Sequence, residues 1–161
     1  MKRVNLFTAD TELDADDPDG FKAGMLRFGP SLDAALIGGT IYDLPPGQSN
    51  CPYHYEYEEE WLLVVDGTVV VRAPDGEHTL ERGDVACFPP GPAGAHYVRN
   101  DGESTARVAM FSSTSAAGAV VYPDSDMVWM WTDDDAVDLI VERSSAVDDA
   151  APWTTAKSKE A

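Results

Sequence analysis

Two of the chain's three histidines lie in segments that carry the donors of a metal site. Residues 47–67 read GQSNCPYHYEYEEEWLLVVDG and bring His54, Glu56 and Glu60 ahead of an apolar run ending at Asp66-Gly67. Residues 83–100, GDVACFPPGPAGAHYVRN, bring His96. Imidazole nitrogen and carboxylate oxygen are donors that zinc takes at roughly 2.0–2.2 Å. A mixed nitrogen and oxygen set equally suits Fe, Mn, Co, Ni or Cu, so the expected cofactor is a divalent ion of open identity. Residues two apart on a strand face the same side, so His54 and Glu56 converge while Tyr53, Tyr55 and Tyr57 face away. Glu60, Leu62 and Val64 keep the parity of His54, with a change of direction at Glu58-Glu59. Burying two carboxylates and two imidazoles on an otherwise apolar inner face is costly without a cation. A plain reading stands beside this one. Residues 56–60 also fit a solvated acidic loop, with His54 and His96 as ordinary half-buried histidines, and spacing alone does not separate the two.

These residues need strands to hold them. From position 40 the chain alternates short β-branched or apolar runs with turn signals: Thr40–Leu44, Trp61–Val65, Thr68–Arg72, Glu77–Glu81, Val85–Phe88, His96–Arg99 and Thr105–Ser112. Turn glycines at 67, 76, 83, 91 and 102 recur every seven to eleven residues, the cadence of an all-β sandwich or barrel of hairpins. Val4–Phe7 and Met25–Phe28 read as further strands. Residues 8–20 read as an acidic loop. Ser31–Leu36 reads as a short helix, with Ser31 as N-cap and Gly38-Gly39 as its stop. Ala119–Tyr122 fits a strand, and Met127–Trp131 and Val137–Val141 are apolar enough to pack. Residues 144–161 are expected to fray as a flexible tail. With no repeat and no linker, residues 1–161 are expected to form a single domain, its barrel core at about 40–122.

Composition narrows the partners. The formal net charge is -18, from 11 basic and 29 acidic residues, with no basic stripe. That charge argues against nucleic acid and against anionic membranes. No apolar stretch is long enough to span a bilayer, and MKRVNLFTAD lacks the apolar core of a signal peptide, so a cytoplasmic location is expected. Of the two cysteines, Cys51 lies three residues before His54 and is placed to approach the site, while Cys87 reads as a small apolar core residue. Tyr42, Tyr53, Tyr55, Trp61, Phe88 and Tyr97 read as core or interface residues rather than pocket lining, and His78, beside a turn, as exposed.

The two segments resemble the paired motifs of the cupin superfamily. Gly47, His54, Glu60 and Gly67 match the first motif, with one extra residue between Gly47 and His54. Gly83, Pro89, Gly91, His96 and Asn100 match the second, with two extra residues between Gly91 and His96. The resemblance covers residues 40 to 112. It implies a double-stranded β-helix, or jelly-roll barrel, holding a metal through residues that match His54, Glu60 and His96. It also implies a homodimer. The departure is Glu56, which stands where the superfamily has its second histidine. Either Glu56 completes a set of two histidines and two glutamates, or it stands beside a three-residue site as a catalytic base or as a group that supports the ligands. The expected function is that of a metal-dependent enzyme, of oxygenase or isomerase type, acting on a small organic molecule. A non-catalytic module binding a sugar or another small ligand is the alternative, and a barrel that has lost its chemistry is a third. Phosphorylated substrates are disfavoured, because the only basic residues near either motif are Arg72, Arg82 and Arg99.

Overall fold

The computed structural model describes residues 1–132, 134 and 138–145. Its strands are β1 (Glu12–Leu13), β2 (Gly24–Arg27), β3 (Ile37–Leu44), β4 (Tyr55–Glu56), β5 (Glu60–Asp66), β6 (Thr68–Ala73) and β7 (Gly76–Glu81). There follow β8 (Val85–Phe88), β9 (Tyr97–Arg99), β10 (Ala106–Ser113), β11 (Ala117–Tyr122), β12 (Met127–Thr132) and β13 (Leu139–Glu142). One sheet has six strands in the order β1-β2-β3-β10-β5-β8. Two smaller sheets run β13-β12-β11-β4 and β7-β6-β9. All pairings are antiparallel. The architecture is the expected all-β jelly-roll barrel.

The chain passes from the large sheet to a small one at Gly67, between β5 and β6. Gly67 has φ 78°, and a Cβ there would sit 3.0 Å from the Ala106 Cα, so the corner needs glycine. The two small sheets meet where β4 and β9 begin. The backbone N–H of His54 donates to the His96 carbonyl at 3.0 Å, and that of His96 to the His54 carbonyl at 2.8 Å. The two histidines thus stitch the second layer together through their own backbones.

Strand parity sorts the side chains. Leu62 and Val64 of β5, Val108 and Met110 of β10, and Leu44 of β3 point inward. There they pack with Val69, Val71, Val98 and Phe88. Pairing places Glu60 opposite both Ser112 and Phe88, so Glu60 belongs to this inner face. The same parity sends Trp61 and Cys87, which are paired across β5 and β8, to the outside. Cys87 is therefore exposed rather than a core residue. Val85–Phe88 has a single buried position at its end, and Phe88 takes it.

The N-terminal third departs from expectation three times. The segment expected as an acidic loop, 8–20, contains β1, whose Glu12 and Leu13 pair with Met25 and Gly24 of β2. Residues 4–7 do not pair as a strand. The Asn5 side chain accepts from the Phe7 N–H, and the Asn5 carbonyl accepts from Thr8 and Ala9, which curls the segment into a turn. The helix expected over Ser31–Leu36 is one 3-10 turn at Pro30–Leu32, stopped by Asp33 at φ 57°. Ser31 caps nothing; its hydroxyl donates to the Phe28 carbonyl. Ile37 then enters β3. Most of the tail expected over 144–161 lies outside the described residues.

Candidate metal centre

Glu60 opens β5, while His54 and His96 immediately precede β4 and β9. The fold brings the three together at the junction of its layers. Glu60 Oε2 lies 3.7 Å from His54 Nε2 and 3.7 Å from His96 Nε2. All three donor atoms fall within 4.8 Å of one another. Three donors bonded at ~2.1 Å to one tetrahedral ion would stand ~3.4 Å apart. Both histidines are buried. The His96 ring lies flat on Phe88, with centroids 3.7 Å apart and planes 8° from parallel, so it has little freedom to turn.

Each ring is set by its far nitrogen. His54 Nδ1 lies 2.8 Å from the Pro52 carbonyl and His96 Nδ1 3.0 Å from the Gly94 carbonyl. A carbonyl only accepts, so both Nδ1 atoms carry hydrogen and both Nε2 atoms turn toward Glu60. Backbone carbonyls of this kind commonly orient metal-bound histidines. The His96 Nε2 atom is buried and has no hydrogen-bond partner. A buried acceptor left unpaired costs about 1–3 kcal/mol. Its position beside a carboxylate and a second Nε2 atom is what a bound cation would satisfy, so the residues present fit a divalent ion.

The loop before His96 is shaped to this end. The two residues extra to the second motif are taken up in a 3-10 turn at Pro92–Gly94. A Cβ on Gly94 would stand 1.9 Å from the Pro89 carbonyl oxygen, so only glycine lets the loop close and present its carbonyl to His96. Asn100, the last residue of that motif, is a buried clamp. Its amide donates to Leu44 O at 2.7 Å and Ser104 O at 2.8 Å, and its oxygen accepts from the Gly102 N–H at 2.8 Å.

The electrostatics favour positive charge. Burial opposes a proton on His54, but the neighbouring Cys51 and Glu60 side chains outweigh it and lift its pKa to about 11. Burial, then the charge on His54, lowers His96 to about 4. One imidazole thus takes a proton beside Glu60 while the other stays neutral. A cation entering here would have to displace that proton, so its binding would strengthen as pH rises.

A cavity of about 330 Å³ opens beside this group, lined among others by Cys51, His54, Glu56 and Glu60. Glu56 shares the cavity with His54, as the alternation predicts, but is not one of the three converging donors. Burial, then the charge of Glu60, raises its carboxyl to about 7. Cys51 approaches the site as expected, on the cavity wall and close enough to His54 and Tyr122 to raise the pKa of each. The Tyr42 phenol, also on the wall, is pushed up to about 12, first by burial and then by Cys51. Tyr122, Trp129 and Arg27 complete the wall from β11, β12 and β2. None of these three was singled out by the motifs, and Tyr42, read as core or interface, is a pocket residue. Only strand register, which no local pattern encodes, puts them here.

The basic residues near the motifs are engaged elsewhere. Arg72 pairs with Asp124 and stacks over Tyr53, Arg99 pairs with Glu77 and Asp101, and Arg82 lies near Asp66. His78 bonds to Asp75 at the surface. Trp61 is exposed on the outer face, away from this cavity and from the core. No helix among the described residues is long and apolar enough to cross a membrane.

Residues 40–112 match the family model described as the cupin domain. No curated protein matches the chain. Among solved structures, a sugar phosphate isomerase of the cupin superfamily from Silicibacter pomeroyi is similar at 21% identity and TM-score 0.77, covering 92% of this chain and 98% of that one. A protein from Acidithiobacillus ferrooxidans, described as a candidate sugar phosphate isomerase, is similar at 19% identity and TM-score 0.77, covering 89% and 91%. A polyketide cyclase from Streptomyces resistomycificus follows at 21% identity and TM-score 0.58, covering 71% and 80%. At these identities the likeness speaks for the fold. The family model spans both motifs and a jelly-roll barrel closes around them, so residues 40–112 match the cupin domain in sequence pattern and in fold.

Proposed function

We propose that this protein is a metal-dependent cupin enzyme that moves a proton on a small organic substrate. His54, Glu60 and His96 hold the ion, and Glu56 serves as the base. The observation that carries the reading is the unpartnered, buried Nε2 of His96, aimed at a carboxylate and a second imidazole whose tautomer is fixed in the same way. A bound divalent ion supplies Lewis acidity toward a carbonyl or hydroxyl oxygen. Glu56 stands in the same cavity outside the three donors, free to accept a proton from a carbon beside that oxygen. Tyr42 and Tyr122 are phenols held neutral by burial, suited to donate hydrogen bonds to substrate oxygens. The cavity's size suits a molecule of a few carbon atoms. The isomerase descriptions of two structural neighbours agree with this chemistry and lend it support.

Metal analysis by mass spectrometry on untagged protein tests the site. About one equivalent of ion is expected in the wild type and in Glu56→Gln, and a loss in His96→Ala and Glu60→Ala. Metal content unchanged by His54→Ala overturns the site, and loss in Glu56→Gln makes Glu56 a fourth ligand. The reaction is tested by deuterium exchange from heavy water into small hydroxy-aldehydes and hydroxy-ketones. Exchange that Glu56→Gln abolishes is expected. Dioxygen uptake without exchange points instead to an oxygenase, and tight ligand binding with neither points to a binding module.

The homodimer is retained in the proposal. Ile37, Trp61 and Val85 expose apolar surface on the outer face of the six-stranded sheet, beside Leu63 and Phe111. Sedimentation at rising concentration tests it, and a monomer throughout removes it.

A further inference from the structure

In a chain with 29 acidic and 11 basic residues, carboxylates are in surplus, yet Arg27 has no carboxylate partner among the described residues. Its place in the fold is specific. Arg27 pairs with Thr40, Thr40 with Met110, and Met110 with Leu62. Paired residues in an antiparallel sheet share a face, and Leu62 is fully buried. The row therefore lies on the inner face, with Arg27 at its open end. The neighbouring inner row runs Gly38, Ser112, Glu60, Phe88. Arg27 thus lines the same cavity as His54, Glu56 and Glu60, from the opposite side of the sheet. Its charge is felt by the Tyr42 phenol, which also feels Glu56 and Glu60.

The distance is informative. β2 and β5 are separated by two strands, β3 and β10, so their backbones stand roughly 15 Å apart. Long side chains reaching in from both ends narrow that to the length of a molecule of a few carbons. A guanidinium offers a rigid fork of donors that matches a carboxylate or phosphate, and a free one at a cavity mouth is a ready anion grip. It also offsets the negative charge that Glu56 and Glu60 bring to the cavity.

We infer that Arg27 is the specificity-determining residue of this cavity. It grips the carboxylate or phosphate of a small organic anion whose other end lies at the His54/Glu60/His96 group. The substrate class is an organic anion with a hydroxyl or carbonyl at the end remote from Arg27. This rests on the metal-centre reading and names the substrate class for it.

The test uses probe pairs sharing one metal-seeking head. Lactate and malate differ by a second carboxylate, and glycerate and 3-phosphoglycerate by a phosphate. Calorimetric titration of the metal-loaded protein is expected to show the longer anion of at least one pair binding ~10-fold tighter, the worth of about one charge-assisted hydrogen bond. The pair that shows the gain identifies carboxylate or phosphate. Arg27→Gln is expected to abolish the gain within each pair while leaving the melting temperature unchanged. Arg27→Lys is expected to restore part of it, because it returns the charge without the fork. A wild type with no gain in either pair, or a gain that survives in Arg27→Gln, overturns the inference. An Arg27-dependent grip on malate or 3-phosphoglycerate in a protein that binds neither metal nor lactate upholds Arg27 and overturns the metal reading instead.

Discussion

Replacing His96 by leucine separates what this residue does for the fold from what it does for a cation. Two changes oppose each other in the metal-free protein. The buried Nε2 atom, which has no partner, leaves the interior, a relief of about 1–3 kcal/mol. The Gly94 carbonyl loses the Nδ1–H that donates to it at 3.0 Å, a cost of similar size. Leucine is close to histidine in volume and keeps contact with the face of Phe88, so no large cavity opens. The expected net change is within about 1 kcal/mol, whereas truncation at a position only 1% exposed ordinarily costs several times that. With metal the outcome differs. At a free-ion concentration 100-fold above Kd the wild type gains about 2.7 kcal/mol, which for a chain of this length raises Tm by about 5–10 °C. The variant is expected to gain nothing. Urea unfolding and thermal melting, in chelator and then in Zn, Mn, Co or Ni, read both arms. If the variant loses more than about 3 kcal/mol in chelator and responds to metal as the wild type does, the reasoning fails on both counts.

Two further outcomes follow from groups outside the site. Asn100→Ala leaves Leu44 O, Ser104 O and the Gly102 N–H without their bonds, and is expected to cost about 2–4 kcal/mol in urea unfolding; a loss below about 1 kcal/mol would show that Asn100 is no clamp. Asp43 is held by both arms of Arg107, at 2.7 and 2.6 Å, and by the Thr11 hydroxyl at 2.7 Å. The Arg107 bonds depress its carboxyl below the ordinary 3.8, against the opposing effect of burial. A depressed carboxylate contributes stability that is complete above its unfolded pKa and is lost as pH falls through its folded one. The stability difference between wild type and Asp43→Asn, about 1–3 kcal/mol at neutral pH, is therefore expected to hold down to pH ~5 and shrink below pH ~4. A difference that grows on acidification would contradict the pairing.

The chemistry of this chain was more legible than its cavity, for a physical reason. His54, Glu60 and His96 stand at fixed spacing from turn glycines, and strand parity carries each to the inner face. Local pattern therefore reached the three side chains that the fold brings together. Parity also had the means to place Cys87 outside, since Phe88 beside it needs the interior and neighbours on a strand cannot share a face. The helix expected at Ser31–Leu36 rested on a cap and a glycine stop. It yielded to Asp33 in the left-handed region and to the demand of β3 for pairing from Ile37 onward. Arg27, Tyr122 and Trp129 were beyond reach for another reason. They come from strands whose neighbours are set by the closure of the barrel, and nothing within ten residues of Arg27 announces that it will end beside Glu60's row. The sequence-level case against phosphorylated substrates weighed Arg72, Arg82 and Arg99, all of which are turned to other partners.

The origin of the three donors bears on how the barrel is held shut. Glu60 belongs to the six-stranded sheet, while His54 and His96 sit at the seam of the two smaller ones, bound to each other through their backbones. A cation shared among them would join both layers and the seam at one point. Without it, that point consists of a carboxylate, a proton on one ring and an unpaired nitrogen on the other. Under the proposed metal site, loss of the ion would therefore weaken the contact between layers rather than any one strand. Amide hydrogen exchange should then report it first at His54, His96 and the loop at Pro92–Gly94, not in the apolar rows of β5 and β10. The same geometry explains why the cavity opens at this seam. It is the one place where Glu56 of a short strand, Arg27 of an edge strand and the donors at the layer junction face a common space.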